Sequence, residues 1–429
     1  MRHPRRVEYG VFFMKPTSLL LLFVLAVAAA EGQEPETVAW RNGAWFDRTG
    51  FRRVDVYSIG DRLTLKPPSK VDRTVDVTGR FLMGAFGEAH NHNIPSDGAD
   101  RTRMYLEQGI FYVMIQTNVP ETPAKLKGLI NRPDSVDVLF ANGSFTAPGG
   151  HPSALVRRNI ANGGMTNEDL DGGFLQPVRS RGDIDRIWST RIRTQQPDFI
   201  KLTLVYSEDR VAGLPRPDSD RHGLDPSLTS YLVNEAHGDR LRVSAHVESA
   251  YDFDVAVAAR ADLIAHLPGF WPDAVRVKAK GPGIYRISED AARRAGRQGT
   301  VVITTVGDAL RENTIPDVRE QFLDVLRWNF DVLKRHGVKI AIGSDEYRTS
   351  SVPEALAIAQ AGLMTRAEVL QSLSVTTPAA IFPTRAPFGL VEGAPANFIA
   401  LDRDPLEDLE AITKISLRVK GGRELPLAR

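Results

Sequence analysis

Alternating apolar and polar residues mark both ends of the chain. Between residues 36 and 80 the segments TVAWRNGAWF, RRVDVYSIGDRLTL and RTVDVTG alternate in this way, and Asn-Gly and Gly-Asp pairs interrupt them. A period of two broken by such pairs predicts a small antiparallel sheet with hairpin turns. Residues 385–429 have the same character in ANFIALD and ISLRVKGGREL, where Gly-Gly predicts another hairpin. We therefore expect one composite β-sandwich domain built from both chain ends.

In the middle of the chain, short apolar strands alternate with segments of helical periodicity. The predicted strands are RFLMGAFGE, IFYVMIQT, DVLFANGS, DFIKLTLV, LRVSAHVE, ADLIAHLP, GTVVITTV and VKIAIGSD. The predicted helices are SYLVNEAHG, YDFDVAVAAR, SEDAARRAGRQ, VREQFLDVLRWNFDVLKRHG and TRAEVLQSLS. Strands alternating with helices predict an α/β chain folded as a (β/α)8 TIM barrel. A doubly wound open sheet is the alternative, weakened because no Gly-x-Gly-x-x-Gly follows the first strand.

The N-terminus predicts export. An apolar run from Leu19 to Ala30 follows Met14-Lys15 and ends in small residues, which is typical of a secretory signal peptide. We expect a signal peptide over 1–30, a periplasmic or secreted protein, and no stable membrane span after cleavage. An uncleaved anchor is the alternative, and the chain could start at Met1 or Met14. The predicted domains are 31–80 and 385–429 for the two parts of the β-sandwich and 81–384 for the barrel.

Composition narrows the chemistry. The chain has 54 basic and 53 acidic residues, a balance that gives no sign of a nucleic-acid partner. Apolar residues make up 42% of the sequence, enough for a substantial core. Because there is no cysteine, a metal must be held by histidine, carboxylate or modified lysine, and a nucleophile cannot be a thiol.

Six polar residues lie in or at the ends of the predicted strands. In a barrel, catalytic groups collect at the carboxyl ends of the strands, so these residues are expected to meet there. They are His90, His92, Lys201, His246, His266 and Asp345. His90 and His92 are two residues apart and therefore share one strand face. Singly, such a histidine is more often a satisfied core residue, and such an aspartate a helix cap. Together the six predict a polar active site.

The order HNH, IKL, AHV, AHL, GSD resembles the amidohydrolase superfamily of metal-dependent hydrolases. It looks most like the branch that contains Xaa-Pro dipeptidases and imidazolonepropionase-like proteins. APGGHPSAL resembles the Gly-Gly-His stretch of the dipeptidase-like members, and VTTPAAIF and FGLVEGAPANFIALD resemble their return into the small β domain. FLMGAFGEAHNH keeps the His-x-His but lacks the proline and the acidic neighbour of the usual PGLIDAHTH-like strand.

The resemblance implies a dinuclear metal site. Two divalent ions, zinc with manganese or cobalt as alternatives, would be held by the six residues. His90 and His92 would bind the more buried ion, and His246 and His266 the more exposed one. Lys201 would bridge both ions as a carbamate formed with CO2. Asp345 would ligate the buried ion and act as general base and acid in hydrolysis of an amide, dipeptide-like or cyclic amide C–N bond.

Other residues are candidates for contacting the substrate or for supporting the site. His151, in PGGHPS, is a candidate for binding substrate or the tetrahedral intermediate, by resemblance and by position. Tyr206 and Tyr231 are candidate substrate contacts, although packing explains both equally well. Arg348 is a third candidate, although a solvated loop arginine is the favoured interpretation. Glu248 is interpreted as a supporting or structural group.

Two other functions stay open. The first is a mononuclear deaminase or imidazolonepropionase-like hydrolase, and the second is an inactive periplasmic binding protein on the same fold. The expected partner is a small-molecule or dipeptide-like substrate. Its identity and the oligomeric state, including a homo-oligomer, are left undetermined by the sequence.

Overall fold

The computed structural model describes residues 35–94, 98–214, 221–311 and 319–426. The predicted signal peptide therefore lies outside the described residues. Among the described residues the strands are, in chain order, β1 (Thr37–Arg41), β2 (Ala44–Asp47), β3 (Gly50–Arg53), β4 (Val56–Ile59), β5 (Arg62–Thr64), β6 (Arg73–Asp76), β7 (Phe81–Gly84), β8 (Phe86–Asn91), β9 (Ile110–Ile115), β10 (Asp137–Phe140), β11 (Ser144–Thr146), β12 (Leu175–Pro177), β13 (Ile200–Thr203), β14 (Val243–His246), β15 (Leu263–Ile264), β16 (Val301–Ile303), β17 (Lys339–Ala341), β18 (Phe398–Leu401), β19 (Ile415–Lys420) and β20 (Arg423–Glu424).

Helices follow or separate most of the central strands. They are α1 (Gly98–Glu107), α2 (Thr122–Leu126), α3 (Ser153–Ala161), α4 (Arg181–Ile187), α5 (Arg193–Gln195), α6 (Ser207–Val211), α7 (Pro226–Gly238), α8 (Ala250–Ala258), α9 (Ala274–Lys280), α10 (Glu289–Gln298), α11 (Gly307–Arg311), α12 (Arg319–Arg335), α13 (Ser351–Gln360), α14 (Arg366–Gln371) and α15 (Thr377–Ile381). Among the described residues, none of these helices has both the length and the apolar character needed to cross a membrane.

Strands from both chain ends share one sheet. A six-stranded sheet has the order β20-β19-β18-β7-β2-β3, and a four-stranded sheet has the order β5-β4-β1-β6. The ring of Phe398 lies 4.9 Å from those of Trp40 and Trp45, in a shared core between the two sheets. The predicted Gly-Gly hairpin is confirmed, because Lys420 pairs with Arg423 across two glycines of positive φ. Elsewhere the predicted hairpins are only part of the arrangement, since β1 also pairs with β6, and β2 with β7, in parallel.

The ten central strands are all parallel and form two sheets, of order β10-β9-β8 and β12-β11-β13-β14-β15-β16-β17. The predicted α/β class is thus confirmed. The predicted closed (β/α)8 barrel is not, because the strand pairing leaves both sheets open. The described central strands also outnumber the eight that were predicted. Strand β11 begins at the last residue of the predicted DVLFANGS strand, and β12 lies beyond it in the chain.

At the edges of the two parallel sheets, local contacts stand where a regular series of main-chain hydrogen bonds between strands would close the barrel. Beyond β17 the amides of Ser344 and Asp345 both donate to the carbonyl of His90, at 3.1 and 2.8 Å, so the chain curls there. Beside β10 the carboxylate of Asp198 accepts from the amide of Phe140, taking the place of a main-chain acceptor. One side chain and one turn therefore interrupt the regular pairing.

Candidate metal centre

The carboxyl ends of the parallel strands bring the predicted ligands together. His90 lies in β8, Lys201 in β13, and His246 is the last residue of β14. His266 and Asp345 follow the ends of β15 and β17 by two and four residues. Carboxyl ends of neighbouring parallel strands share one edge, and this explains why residues far apart in sequence meet.

Asp345 is the centre of the cluster. Its Oδ1 lies 3.2 Å from Nε2 of His90 and 3.1 Å from Nε2 of His92, and its Oδ2 lies 3.9 Å from Nδ1 of His266. His90, His266 and Asp345 offer ligand atoms that all lie within 4.8 Å of one another. Three ligand atoms at this spacing can reach one metal ion.

The outer nitrogens of two histidines already have partners. Nδ1 of His90 lies 2.8 Å from the carbonyl of Ala265, so this nitrogen carries the proton and donates. Nδ1 of His266 lies 2.8 Å from Oγ1 of Thr305. Such contacts orient an imidazole and leave its other nitrogen for a ligand, as is usual in metal sites.

Burial favours the neutral form of the histidines, whereas the neighbouring histidines favour the charged form of the carboxylate. Burial lowers the pKa of His90 to about 4, although Asp345 opposes the shift. The pKa values of His246 and His266 are also well below the usual range, again mainly because of burial. Burial raises the pKa of Asp345, but the electrostatic effect of His90 and the close contacts with His90 and His92 outweigh burial and hold that pKa well below its usual value. Neutral imidazoles beside an ionised carboxylate are the protonation states that bind divalent metals.

Lys201 is a buried amine next to this cluster. Only 3% of its surface is exposed, and its Nζ donates to Oε1 of Gln116 at 3.2 Å. Burial lowers the pKa of Lys201 to about 7, and Asp345 opposes the shift. The lysine charge in turn lowers the pKa of His90, His246 and His266. Lys201 is therefore coupled electrostatically to three of the predicted ligands.

His246 and His151 form the second half of the site. The ring of His246 lies 4.3 Å from that of His266 and 4.9 Å from that of His151. Nε2 of His246 also lies 3.1 Å from Oε1 of Glu248, and Phe270 stacks on His266 at 4.0 Å. The structure thus brings His151 and Glu248 to the predicted metal ligands.

The three other substrate-contact candidates lie in different surroundings. The hydroxyl of Tyr206 contacts that of Tyr285 at 3.1 Å, and Arg276 covers its ring, so Tyr206 is buried in a packing cluster. Tyr231 lies on α7 and donates to Asp185 of α4 at 2.6 Å. Arg348 is exposed. The contacts of these three side chains do not join them to the histidine cluster, and their substrate roles stay predictions.

Three strand-end residues adopt a left-handed backbone. Tyr206, Thr305 and Asp345 have φ of 47°, 54° and 55°. This conformation is unfavourable for residues with a Cβ, most of all for a β-branched residue, and costs about 1–3 kcal/mol. Backbone strain of this kind is often found at functional sites. Here the strained Thr305 contacts His266 and the strained Asp345 contacts His90.

Sequence reasoning missed two buried polar residues that support the site. The carboxylate of Glu88 accepts from the amide and the hydroxyl of Ser344, at 2.9 and 2.8 Å, and from the amide of His90. Gln116 accepts from Lys201 and from Ser244, and donates to the carbonyl of Ala89. Glu88 stands two residues before His90, and Gln116 ends a predicted strand, so both could have been found by position.

Asp252 was also missed, and it holds the ends of β13 and β14. Its carboxylate accepts hydrogen bonds from four backbone amides, those of Tyr206, Ser207, Glu248 and Ser249, at 2.8 to 3.2 Å. The signal in the sequence was the Ser-x-x-Asp spacing before α8, which is typical of a capping box.

No protein-family model matches the sequence, and no curated protein matches it. Solved structures do. An amidohydrolase structure is 19% identical with a TM-score of 0.68, covering 91% of this chain and 98% of its own. A prolidase complexed with N-methylphosphonate-L-proline is 18% identical with a TM-score of 0.66, over 91% and 99% of the two chains. The ochratoxinase of A. niger is 16% identical with a TM-score of 0.69, over 92% and 97%.

These likenesses extend over more than nine-tenths of each chain. At such low identity they establish the architecture. The resemblance predicted from the strand-end motifs is confirmed at that level, and the chain has the fold of the amidohydrolase and prolidase structures.

Proposed function

We propose that this protein is a metal-dependent hydrolase that cleaves an amide or related C–N bond in a small molecule. The observation that carries the proposal is the contact of the Asp345 carboxylate with His90 and His92, at 3.2 and 3.1 Å, at the carboxyl ends of parallel strands. Similar solved structures include an amidohydrolase, a prolidase and an Xaa-Pro dipeptidase, and they support the same class of reaction.

The residues present fit a divalent metal. The donor set is imidazole and carboxylate without thiolate, which suits zinc, manganese or cobalt. His90, His92 and Asp345 would hold the first ion. When bound, the metal would lower the pKa of a water molecule and polarise the scissile carbonyl.

The chain's own groups would carry the proton. Asp345 is ionised and partly open to solvent, so its carboxylate can accept a proton from the attacking water and return it to the leaving amine. His90 and His92 keep that carboxylate oriented. His151, whose ring lies 4.9 Å from that of His246, would donate a hydrogen bond to the oxygen of the tetrahedral intermediate.

We further propose a second ion held by His246 and His266, with Lys201 bridging both ions as a carbamate. The buried position of Lys201 supports this, because its lowered pKa leaves a fraction of neutral amine that can react with CO2. Carbamylation would also replace a buried cation by an anion between the two metals, which removes the unfavourable burial of an unpaired charge.

A mononuclear site is the second candidate. Among the described residues, the set whose ligand atoms lie within 4.8 Å of one another has three members, His90, His266 and Asp345, enough for one ion. The contact of His246 with Glu248 would then serve proton transfer instead of metal binding.

Metal counting and a substrate screen test the proposal. Purified protein should contain one or two metal ions per chain and, when loaded with zinc or manganese plus bicarbonate, should hydrolyse a compound from a panel of dipeptides, N-acyl amino acids and lactams. Asp345→Asn should lose at least a thousandfold in kcat while still binding metal. Full activity in that variant would rule out the assigned base. Protein that binds no metal and cleaves nothing would leave a binding protein on this fold.

A variant of Lys201 distinguishes a site with one metal ion from a site with two. With a bridging carbamate, Lys201→Met should halve the metal content, and 13C-labelled bicarbonate should give a carbamate signal in wild-type protein alone. Lys66→Met, which changes an exposed lysine in the small sheets, is the matched control. Unchanged metal content in Lys201→Met would favour the mononuclear candidate.

We also propose a domain architecture and a cellular location for this protein. We propose that the two parallel sheets form the wall of a single (β/α)8 barrel over 81–384, with 31–80 and 385–429 as the composite β-sandwich. The hydrogen bonds of His90 with Ser344 and of Phe140 with Asp198 support it by joining the open sheet edges. Export after removal of 1–30 would be tested by N-terminal sequencing of the mature protein.

A further inference from the structure

A second polar cavity lies at the opposite ends of the same strands. It has a volume of about 270 Å³ and is bordered by the residues that precede or begin β14, β15, β16 and β17. Its charged and polar lining includes Arg242, Arg260, Asp262, Thr300 and Lys339. The four residues of β14 rise about 13 Å, so this cavity is separated by the length of a strand from His246.

Three cations line this cavity. Arg242 is half-buried, and its guanidinium donates to the carbonyls of Ala380 and Ile381, so several N–H groups remain for another acceptor. Arg260 and Lys339 are exposed. In the part of the chain that the structure describes, none of the three has a carboxylate within 4.0 Å.

The single carboxylate of the cavity is already engaged. Asp262 accepts from Nε2 of His237 at 2.9 Å and from the amide of Val243 at 2.7 Å. Three cationic side chains therefore line a cavity that has one carboxylate, and Oδ2 of that carboxylate already accepts two hydrogen bonds. Burial lowers the pKa of Arg242, and Asp262 opposes the shift.

We propose that this cavity binds a small organic polyanion through its phosphate or carboxylate groups. Arg242 and Arg260 supply planar forks that match such groups in bidentate fashion, and Lys339 adds a point charge. The volume is at the lower end of ligand pockets, so a compact metabolite fits better than a dinucleotide or a polymer. The inference is independent of the proposed hydrolase function.

Titration with inorganic phosphate and with citrate tests this inference. Calorimetry and thermal unfolding would be followed on the full mature protein at constant ionic strength, with chloride as the reference salt. At least one of the two anions should bind saturably with one site per chain and raise the unfolding temperature. Phosphate alone would indicate a phosphate ester, citrate alone a polycarboxylate, and both a general polyanion site.

The double variant Arg260→Gln/Lys339→Gln should weaken that binding at least tenfold. Both residues are exposed, so the fold should survive. Arg53→Gln/Lys127→Gln is the matched control, because it removes two exposed cations elsewhere and changes net charge equally. Binding that is unsaturable, or equally affected in both double variants, would overturn the inference. The single variant Lys339→Gln, expected to show a smaller loss, covers failure of the double variant to fold.

Discussion

At the scale of single residues, the site depends on buried groups that touch its ligands. Glu88 is fully buried, and its carboxylate ties Ser344, the neighbour of Asp345, to the amide of His90. Two of the proposed ligands therefore take their relative position from one side chain that would not itself touch the metal. Supporting groups of this type usually matter nearly as much as the ligands.

Glu88→Ala should weaken metal binding about 10- to 100-fold. The amide and hydroxyl of Ser344 would lose their acceptor, and the turn that carries Asp345 would drift from His90. Metal affinity is measured by competition with a chromogenic chelator. Glu121→Ala, at an exposed glutamate, is the control and should be neutral. Wild-type affinity in Glu88→Ala would show that Asp345 is positioned by other contacts.

At the scale of elements, Asp252 connects helix α8 to two strand ends. Its Oδ1 accepts from Ser207, while Oδ2 accepts from Tyr206, Glu248 and Ser249. One carboxylate thus terminates β13, turns the chain after β14 and caps α8. A neutral amide of the same shape has only one accepting atom and cannot replace it.

Asp252→Asn should destabilise the protein by about 1–3 kcal/mol, because whichever way the amide turns, one N–H would face another N–H in a buried site. The free energy of unfolding is measured by urea denaturation. Asp331→Asn on the exposed face of α12 makes the same chemical change and should cost less than about 0.5 kcal/mol. Equal stability of the two variants would contradict the assigned connection.

Gly343 allows the end of β17 to approach β8. A Cβ at this position would lie 2.6 Å from the backbone nitrogen of His90 and 2.8 Å from its Cβ, closer than packed atoms can come. Gly343→Ala should therefore displace the following turn, cost about 1–3 kcal/mol of stability and reduce metal content. Gly128→Ala, with open space around it, is the control for both measurements. Normal metal content in Gly343→Ala would mean that the turn tolerates the shift.

At the scale of the whole molecule, a bound metal would join strands that are distant in sequence. His90, His266 and Asp345 belong to three separate parts of the chain. Metal bound only by the folded state stabilises it by about 4 kcal/mol when its concentration is a thousand times the dissociation constant. Removal with dipicolinate should therefore lower the unfolding temperature, and zinc should restore it.

Asp345→Asn provides the internal reference for that measurement. This variant lacks the charged ligand, so chelation should lower its unfolding temperature less than that of the wild-type protein. Identical unfolding temperatures for the wild-type protein with and without metal would show that the cluster folds without help from an ion.

The local hydrophobic pattern of the sequence was sufficient to predict the central strands and helices and to locate the polar residues at the strand ends. His90, His246 and Asp345 could be assigned to strand ends because apolar runs of four to eight residues bounded by turn signals are a local property. The resemblance in strand-end order then predicted the fold, and the solved structures agree with it. The open edges beside Phe140 and His90 could not be foreseen, since they depend on one aspartate side chain and one tight turn.

What only the tertiary structure decided is which of these residues share partners. Glu88 with Ser344, Gln116 with Lys201 and His151 with His246 are contacts across 256, 85 and 95 positions of the chain. No sequence window contains both partners, and burial, which sets their protonation, exists only once the strands have assembled. The sequence by itself determined the type and order of the strand-end groups, because these follow from hydrophobic period. Their mutual distances, charge states and supporting contacts arose from the packing of strands distant in the chain.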